Sequence, residues 1–278
     1  MRTILVPVDF TFGSYVAAYY AANLAQTTHA KLFFFHTFYI LVSNQEFYIS
    51  PDVIQNIALK AKKQLTQFIE EVKQAVHNGA SLETSSEVSA GHLQTMLSQL
   101  ILNHQVDLIV MATHIQKNEL LKMVTGSQAL STIKQSEVPV LVIPDSAAFR
   151  KICTVGFTTS LEDIDNIDVL WPVLQISWLT DIMISFVVVV PDGEGKHSKE
   201  QLEEYLLLET TFKNTPHKLE VIENQNITQG ILDYVDKNKP DILVTMPKKH
   251  TFMDSLTHKS ITESLIKKIN IPVLCLQE

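Results

Sequence analysis

Cysteine is almost missing from this chain of 278 residues. The two that occur, Cys153 and Cys275, sit inside apolar runs without a C-x-x-C partner or a histidine at ligand spacing. That pattern excludes a disulfide framework and a zinc finger, and both residues read as buried free thiols. Long hydrophobic runs are missing too. The longest, Ile182 to Val190, is closed by Asp181 on one side and Pro191-Asp192 on the other, well short of the ~20 apolar residues a spanning helix needs. The apolar stretch after Met1-Arg2 ends at Asp9, too early for a secretory leader, so a cytoplasmic protein with no membrane partner is expected. Clustered positive charge is also lacking. The net charge is −8, and no lysine- and arginine-rich run interleaved with aromatics occurs, which argues against nucleic acid as a partner. No G-x-S-x-G elbow, Walker loop or H-E-x-x-H pair is present, and the histidines show no metal-ligand spacing. No catalytic residue and no structural metal are therefore expected.

What is present is apolar mass in a repeated order. Apolar residues make up 46% and charged residues 19%, a balance that supports packed cores. Val106-Asp107-Leu108-Ile109-Val110 recurs as Pro240-Asp241-Ile242-Leu243-Val244, and Val138-Pro139-Val140-Leu141-Val142 as Ile271-Pro272-Val273-Leu274-Cys275. The offsets, 134 from Asp107 to Asp241 and 133 from Pro139 to Pro272, differ by one residue, so one unit has been duplicated. Small residues Ser146, Ala147 and Ala148 between two strong strand patterns place the boundary there, giving domains 1–146 and 147–278.

Within each half, short β-branched runs alternate with segments of helical period, the signature of βα units feeding a parallel sheet. Strands are expected at Thr3–Val8, Lys31–Phe35, Leu82–Val88, Leu108–Met111 and Val140–Ile143. The second half repeats them at Ile152–Val155, Ile182–Val190, Leu219–Ile222, Ile242–Thr245 and Val273–Leu276. The clearest helix starts at Ser50-Pro51. Its stripe of Ile54, Ile57, Ala61, Leu65, Phe68, Val72 and Val76 faces a core until Gly79 stops it. Further helices follow Ser160, Lys199, Asn226 and Ser260.

Open parallel sheets bind ligands beyond the carboxyl ends of their strands, where strand order reverses. The opening Ile4-Leu5-Val6-Pro7-Val8-Asp9-Phe10-Thr11, its following helix and the two terminal Pro-Val-Leu strands closely resemble the universal stress protein family, in two copies over nearly the whole chain. The resemblance implies an α/β fold of two tandem, open, five-stranded parallel sheets in order 3-2-1-4-5. It also implies an adenine nucleotide, ATP or another, held at Pro7, Asp9, Thr37, Met111, Ala112, Gly126, Ser127 and Gln128. In the family, a G-x-x-G-(nine residues)-G-[S/T] loop wraps the phosphates. Gly126-Ser127 matches its closing pair, but the two leading glycines fall on Ala112 and Ile115, or on Thr113 and Gln116 when nine residues are counted back. Isoleucine is especially poor at the positive φ that such glycines permit. No acid stands three residues after Ser127, so the first amides of that helix are left for an anion. A plain N-cap for Ser127 and a solvated strand end for Asp9 are the competing readings. His36 and His114 border the cleft and read as packing residues.

The second half departs further. Gly156 or Phe157 stands where Asp9 stood, Lys259-Ser260 replaces Gly-Ser, and Ser260 is followed by Glu263 in a capping box that opposes phosphate. Lys248, Lys249, His250, His258 and Lys259 read as a solvated charged loop. The function expected is a non-enzymatic stress-response or regulatory protein with weak adenine-nucleotide binding in the first domain. The alternatives are a scaffold without ligands and an ATP-hydrolysing enzyme. Fusion of two copies favours a pseudo-dimer within the chain through the terminal strands, and a second copy of the chain is the further partner to seek.

Overall fold

A computed structural model describes residues 1–39, 50–113, 127–159, 173, 182–190, 199–246 and 261–277. The chain forms two compact units, one built on Met1–Ala112 and Ser131–Phe149, the other on Thr113–Leu130 and Arg150–Glu278. Along the first half of the chain the described elements are β1 (Thr3–Pro7), α1 (Phe12–Thr28), β2 (Lys31–Phe38), α2 (Pro51–Ala75), β3 (Thr84–Ala90), α3 (Leu93–His104), β4 (Val106–Thr113), α4 (Ser127–Gln135), whose first four residues are counted with the second unit, and β5 (Val140–Pro144). The second unit carries β6 (Thr154–Thr158), β7 (Met183–Val190), α5 (Lys199–Thr211), β8 (His217–Glu223), α6 (Ile227–Asn238), β9 (Ile242–Thr245), α7 (Ile261–Lys268) and β10 (Val273–Cys275). The strand order is β3-β2-β1-β4-β5 in the first unit and β8-β7-β6-β9-β10 in the second. Both are the expected 3-2-1-4-5, and β1, β2, β3 and β4 pair in parallel, as do β6, β7, β8, β9 and β10.

Strands β1 and β2 are buried along most of their length, with Ile4, Leu5, Val6, Leu32, Phe33, Phe34 and Phe35 nearly inaccessible, as strands covered on both faces must be. The α2 stripe meets them through Ala61, Leu65, Phe68, Ile69 and Val72. The helix ends at Ala75, and the left-handed residue of its exit is Asn78, at φ 54. Gly79 serves a close approach instead, since a β-carbon there would lie 2.0 Å from the Lys73 carbonyl oxygen. Leu82, expected to begin a strand, closes the 3-10 turn Gly79–Ser81 with its N–H on the Gly79 carbonyl, and β3 therefore starts two residues later.

The two sheets share register down to single hydrogen bonds. Ile109 N–H donates to Pro139 O, and Leu243 N–H to Pro272 O. Leu5 pairs with Ile109 and Phe33, as Gly156 pairs with Leu243 and Ser185. Asp107 accepts from the Arg2 and Thr3 amides. Asp241 accepts from Cys153 N–H at 2.9 Å, Thr154 N–H at 2.8 Å and Thr154 Oγ1 at 2.9 Å. Each aspartate of the repeated motif thus clamps the amino ends of two neighbouring strands. Cys153, which precedes β6 and takes the Met183 N–H on its carbonyl at 2.8 Å, is exposed, not buried as expected; Cys275 is fully buried, and burial pushes its thiol pKa up. Among the described residues, no helix is long and apolar enough to cross a membrane, and no group of three or more His, Cys, Asp or Glu is placed to hold a metal ion.

Candidate functional site

The reversal of strand order in the first unit falls between β1 and β4, so the carboxyl ends of β1, β2 and β4 define the expected cleft. Because these strands are parallel, five of the expected residues lie on that one edge. Pro7 ends β1 and is half-buried, and Asp9 lies two residues beyond it, exposed. Thr37 is half-buried near the end of β2. Met111 is buried and Ala112 half-buried near the end of β4. Gly126, Ile115, Gln116 and His114 lie outside the described residues. Ser127 opens α4, whose first turn carries no acidic residue, and Gln128 is exposed. Neither belongs to the first unit, which resumes at Ser131. Five of the eight expected residues, Pro7, Asp9, Thr37, Met111 and Ala112, therefore share the carboxyl edge of one sheet.

The turn after β1 is tightly built. Val8 N–H extends the ladder to Phe35 O at 2.8 Å. Asp9 Oδ1 accepts from Thr11 N–H at 3.0 Å and from Thr11 Oγ1 at 2.6 Å. Thr11 in turn caps α1, its hydroxyl accepting from Ser14 N–H at 3.3 Å. Between them Phe10 is left-handed, at φ 61, and its ring lies 4.4 Å from that of His36 and 6.0 Å from that of Phe68. His36 Nδ1 lies 2.7 Å from Val8 O, a bond in which the ring nitrogen donates because a carbonyl can only accept. His36 is thus a hydrogen-bonded packing residue. Sequence reasoning gave no part to Phe10, whose residue type carries no signal for a positive φ.

The second unit corrects one alignment. Thr159 N–H donates to Val187 O at 3.1 Å, as Val8 donates to Phe35, so the position of Asp9 is taken by Ser160, not by Gly156 or Phe157. Matching Thr154 to Thr3 would have found this from sequence. Ser160, like Lys248, Lys249, His250, His258 and Lys259, lies outside the described residues. Glu263 stands in the first turn of α7 and binds Lys267 Nζ at 2.6 Å.

Comparison with known proteins bears on this arrangement. The model of the universal stress protein family matches residues 1–144 and 183–277. A universal stress protein from Archaeoglobus fulgidus DSM 4304 superposes with a TM-score of 0.72 at 14% identity, covering 99% of this chain and 98% of its own. A candidate universal stress protein from Pseudomonas aeruginosa UCBPP-PA14 gives 0.64 at 12%, covering 100% and 93%. A functionally unknown protein from Pseudomonas aeruginosa PAO1 gives 0.62 at 13%, covering 100% and 92%. At these identities the likeness is one of fold. No curated protein matches by sequence.

Proposed function

Because the chain belongs to the universal stress protein family, we propose that it is a non-enzymatic, cytoplasmic stress-response or regulatory protein whose first unit takes an adenine nucleotide beyond the carboxyl ends of β1 and β4. The observation that carries this reading is the placement of an exposed carboxylate, Asp9, at the reversal of strand order, where open parallel sheets take their ligands. Asp9 is an acceptor for the hydroxyl and amino groups of an adenosine, with Pro7, Thr37, Met111 and Ala112 lining the same edge. The phosphates are assigned to Gly126, Ser127 and Gln128 on the sequence match alone, supported by the acid-free first turn of α4, which favours an anion at its positive end.

Isothermal titration of the full chain with ATP tests the reading. Heat of binding that is lost in Asp9→Ala is expected, and no heat at millimolar ATP would remove the nucleotide. One observation favours a ligand-free scaffold instead: Asp9 Oδ1 already takes two hydrogen bonds from Thr11. Mass spectrometry of small molecules released from the denatured protein adds to this: an adenine nucleotide found there supports the first reading, and where none is found the ATP titration decides between the two.

A further inference from the structure

We propose that Phe10 is a positioning residue for the Asp9 carboxylate: its ring, seated on His36 and Phe68, holds the backbone between β1 and α1 left-handed and so fixes the turn in which Asp9 binds Thr11. The inference rests on Asp9 being a nucleotide contact.

Phenylalanine rarely adopts a positive φ, because its β-carbon then crowds the neighbouring carbonyl. At φ 61, Phe10 needs something outside the turn to keep it there. That support comes from two elements that the turn does not include. His36, on β2, is itself fixed by its Nδ1 bond to Val8 O and packs its ring against that of Phe10, tilted, at 4.4 Å. Phe68, on α2 and 1% exposed, takes the edge of the Phe10 ring at 6.0 Å and also packs against Tyr15 of α1 at 4.2 Å. The ring therefore ties the turn to β2, α2 and α1 together. The left-handed residue sets the path from Asp9 to Thr11, and in this turn the Asp9 side chain accepts both the N–H and the hydroxyl of Thr11. Were Phe10 to relax to negative φ, its ring would leave His36 and Phe68, and the Asp9–Thr11 turn would lose the geometry that those contacts hold.

Two substitutions separate this role from ordinary packing, because both delete the ring but only one retains the steric objection to positive φ. In Phe10→Ala the β-carbon remains and the turn relaxes. In Phe10→Gly nothing resists the left-handed conformation, so the turn persists without its support. Amide hydrogen exchange at Thr11, followed by NMR in the nucleotide-free full chain, reads the turn directly, and ATP titration of the same samples reads its consequence. Phe10→Ala is expected to speed Thr11 exchange and weaken ATP binding, each by about tenfold, while Phe10→Gly stays within about threefold of the wild type. Equal losses in the two variants, or an unchanged Thr11 in Phe10→Ala, would overturn the proposal. If the wild type itself gives no heat with ATP, the nucleotide reading fails, and Thr11 exchange still decides whether Phe10 sets the turn.

Discussion

A glycine in the middle of a strand is costly unless something needs the space its side chain would fill, and at Gly156 that something is Tyr234 of α6. A β-carbon on Gly156 would lie 2.8 Å from Tyr234 Cε1 and 3.2 Å from Leu243 Cδ1. Tyr234 is 4% exposed, its hydroxyl bonds Ser185, and burial pushes its pKa up. Counting back five residues from the left-handed helix caps, Lys239 and Gln105, the counterpart of Tyr234 is Leu100. The counterparts of Gly156 and Ser185 are Leu5 and Phe33. One core thus holds Leu5, Leu100 and Phe33 where the other holds Gly156, Tyr234 and Ser185. Gly156→Ala should therefore destabilise the protein by about 1–3 kcal/mol, as overpacking does. Urea unfolding at equilibrium measures it; a loss under half a kilocalorie per mole would mean that Tyr234 shifts freely.

Helices α1 and α2 are joined by aromatic packing and by one polar clip. Tyr15 OH donates to Glu71 Oε2 at 2.5 Å, and Gln67 Nε2 donates to Glu71 Oε1 at 2.9 Å. The Tyr15 bond, then that of Gln67, holds the Glu71 pKa below its ordinary 4.5, while the Glu71 bond, then burial, raises the Tyr15 pKa above its ordinary 10.0. A lowered carboxylate pKa stabilises the fold above the unfolded value and loses that contribution as pH falls through the folded one. For tyrosine, the raised pKa stabilises below the unfolded value, and the contribution is lost as pH rises through the folded one. Tyr15→Phe should therefore lower Tm at neutral pH, and the difference from the wild type should shrink as pH falls from neutral through the lowered Glu71 pKa. Thermal melts across that range check it, and a gap that survives acid would assign the effect to packing. Elements of this kind were partly legible in advance. The α2 stripe and β9 came straight from periodicity. The carboxyl half of β6 did not: the pattern ends a strand at Val155, whereas β6 runs to Thr158, because Gly156 and Thr158 lack the apolar run that marks a buried strand, and they are accommodated by Tyr234 and by the Val244 carbonyl, both far along the chain. At the candidate site, the position of Asp9 just beyond β1 was legible from its motif, whereas the contacts of Phe10 with His36 and Phe68 lie between elements and no spacing encodes them.

Across the whole molecule, the copies share strand order and aspartate clamps but differ at the ligand edge. Ser160 stands in place of Asp9, and Glu263 puts a carboxylate, paired with Lys267, in the first turn of α7. Negative charge there opposes a phosphate at the helix's positive end. Titration of the intact chain with ATP should accordingly saturate at one nucleotide per polypeptide; two equivalent sites would contradict the asymmetry. Tandem copies of one fold also face a hazard during synthesis, since a helix made by one half can settle on the other half's strands. The exchange at Gly156 sets the two interiors apart. Laid on the first sheet, α6 would drive its phenol into Leu5, and α3 laid on the second would leave a hollow above Gly156. Divergence of the two interiors thus makes each helix a poorer fit to the other copy's sheet than to its own.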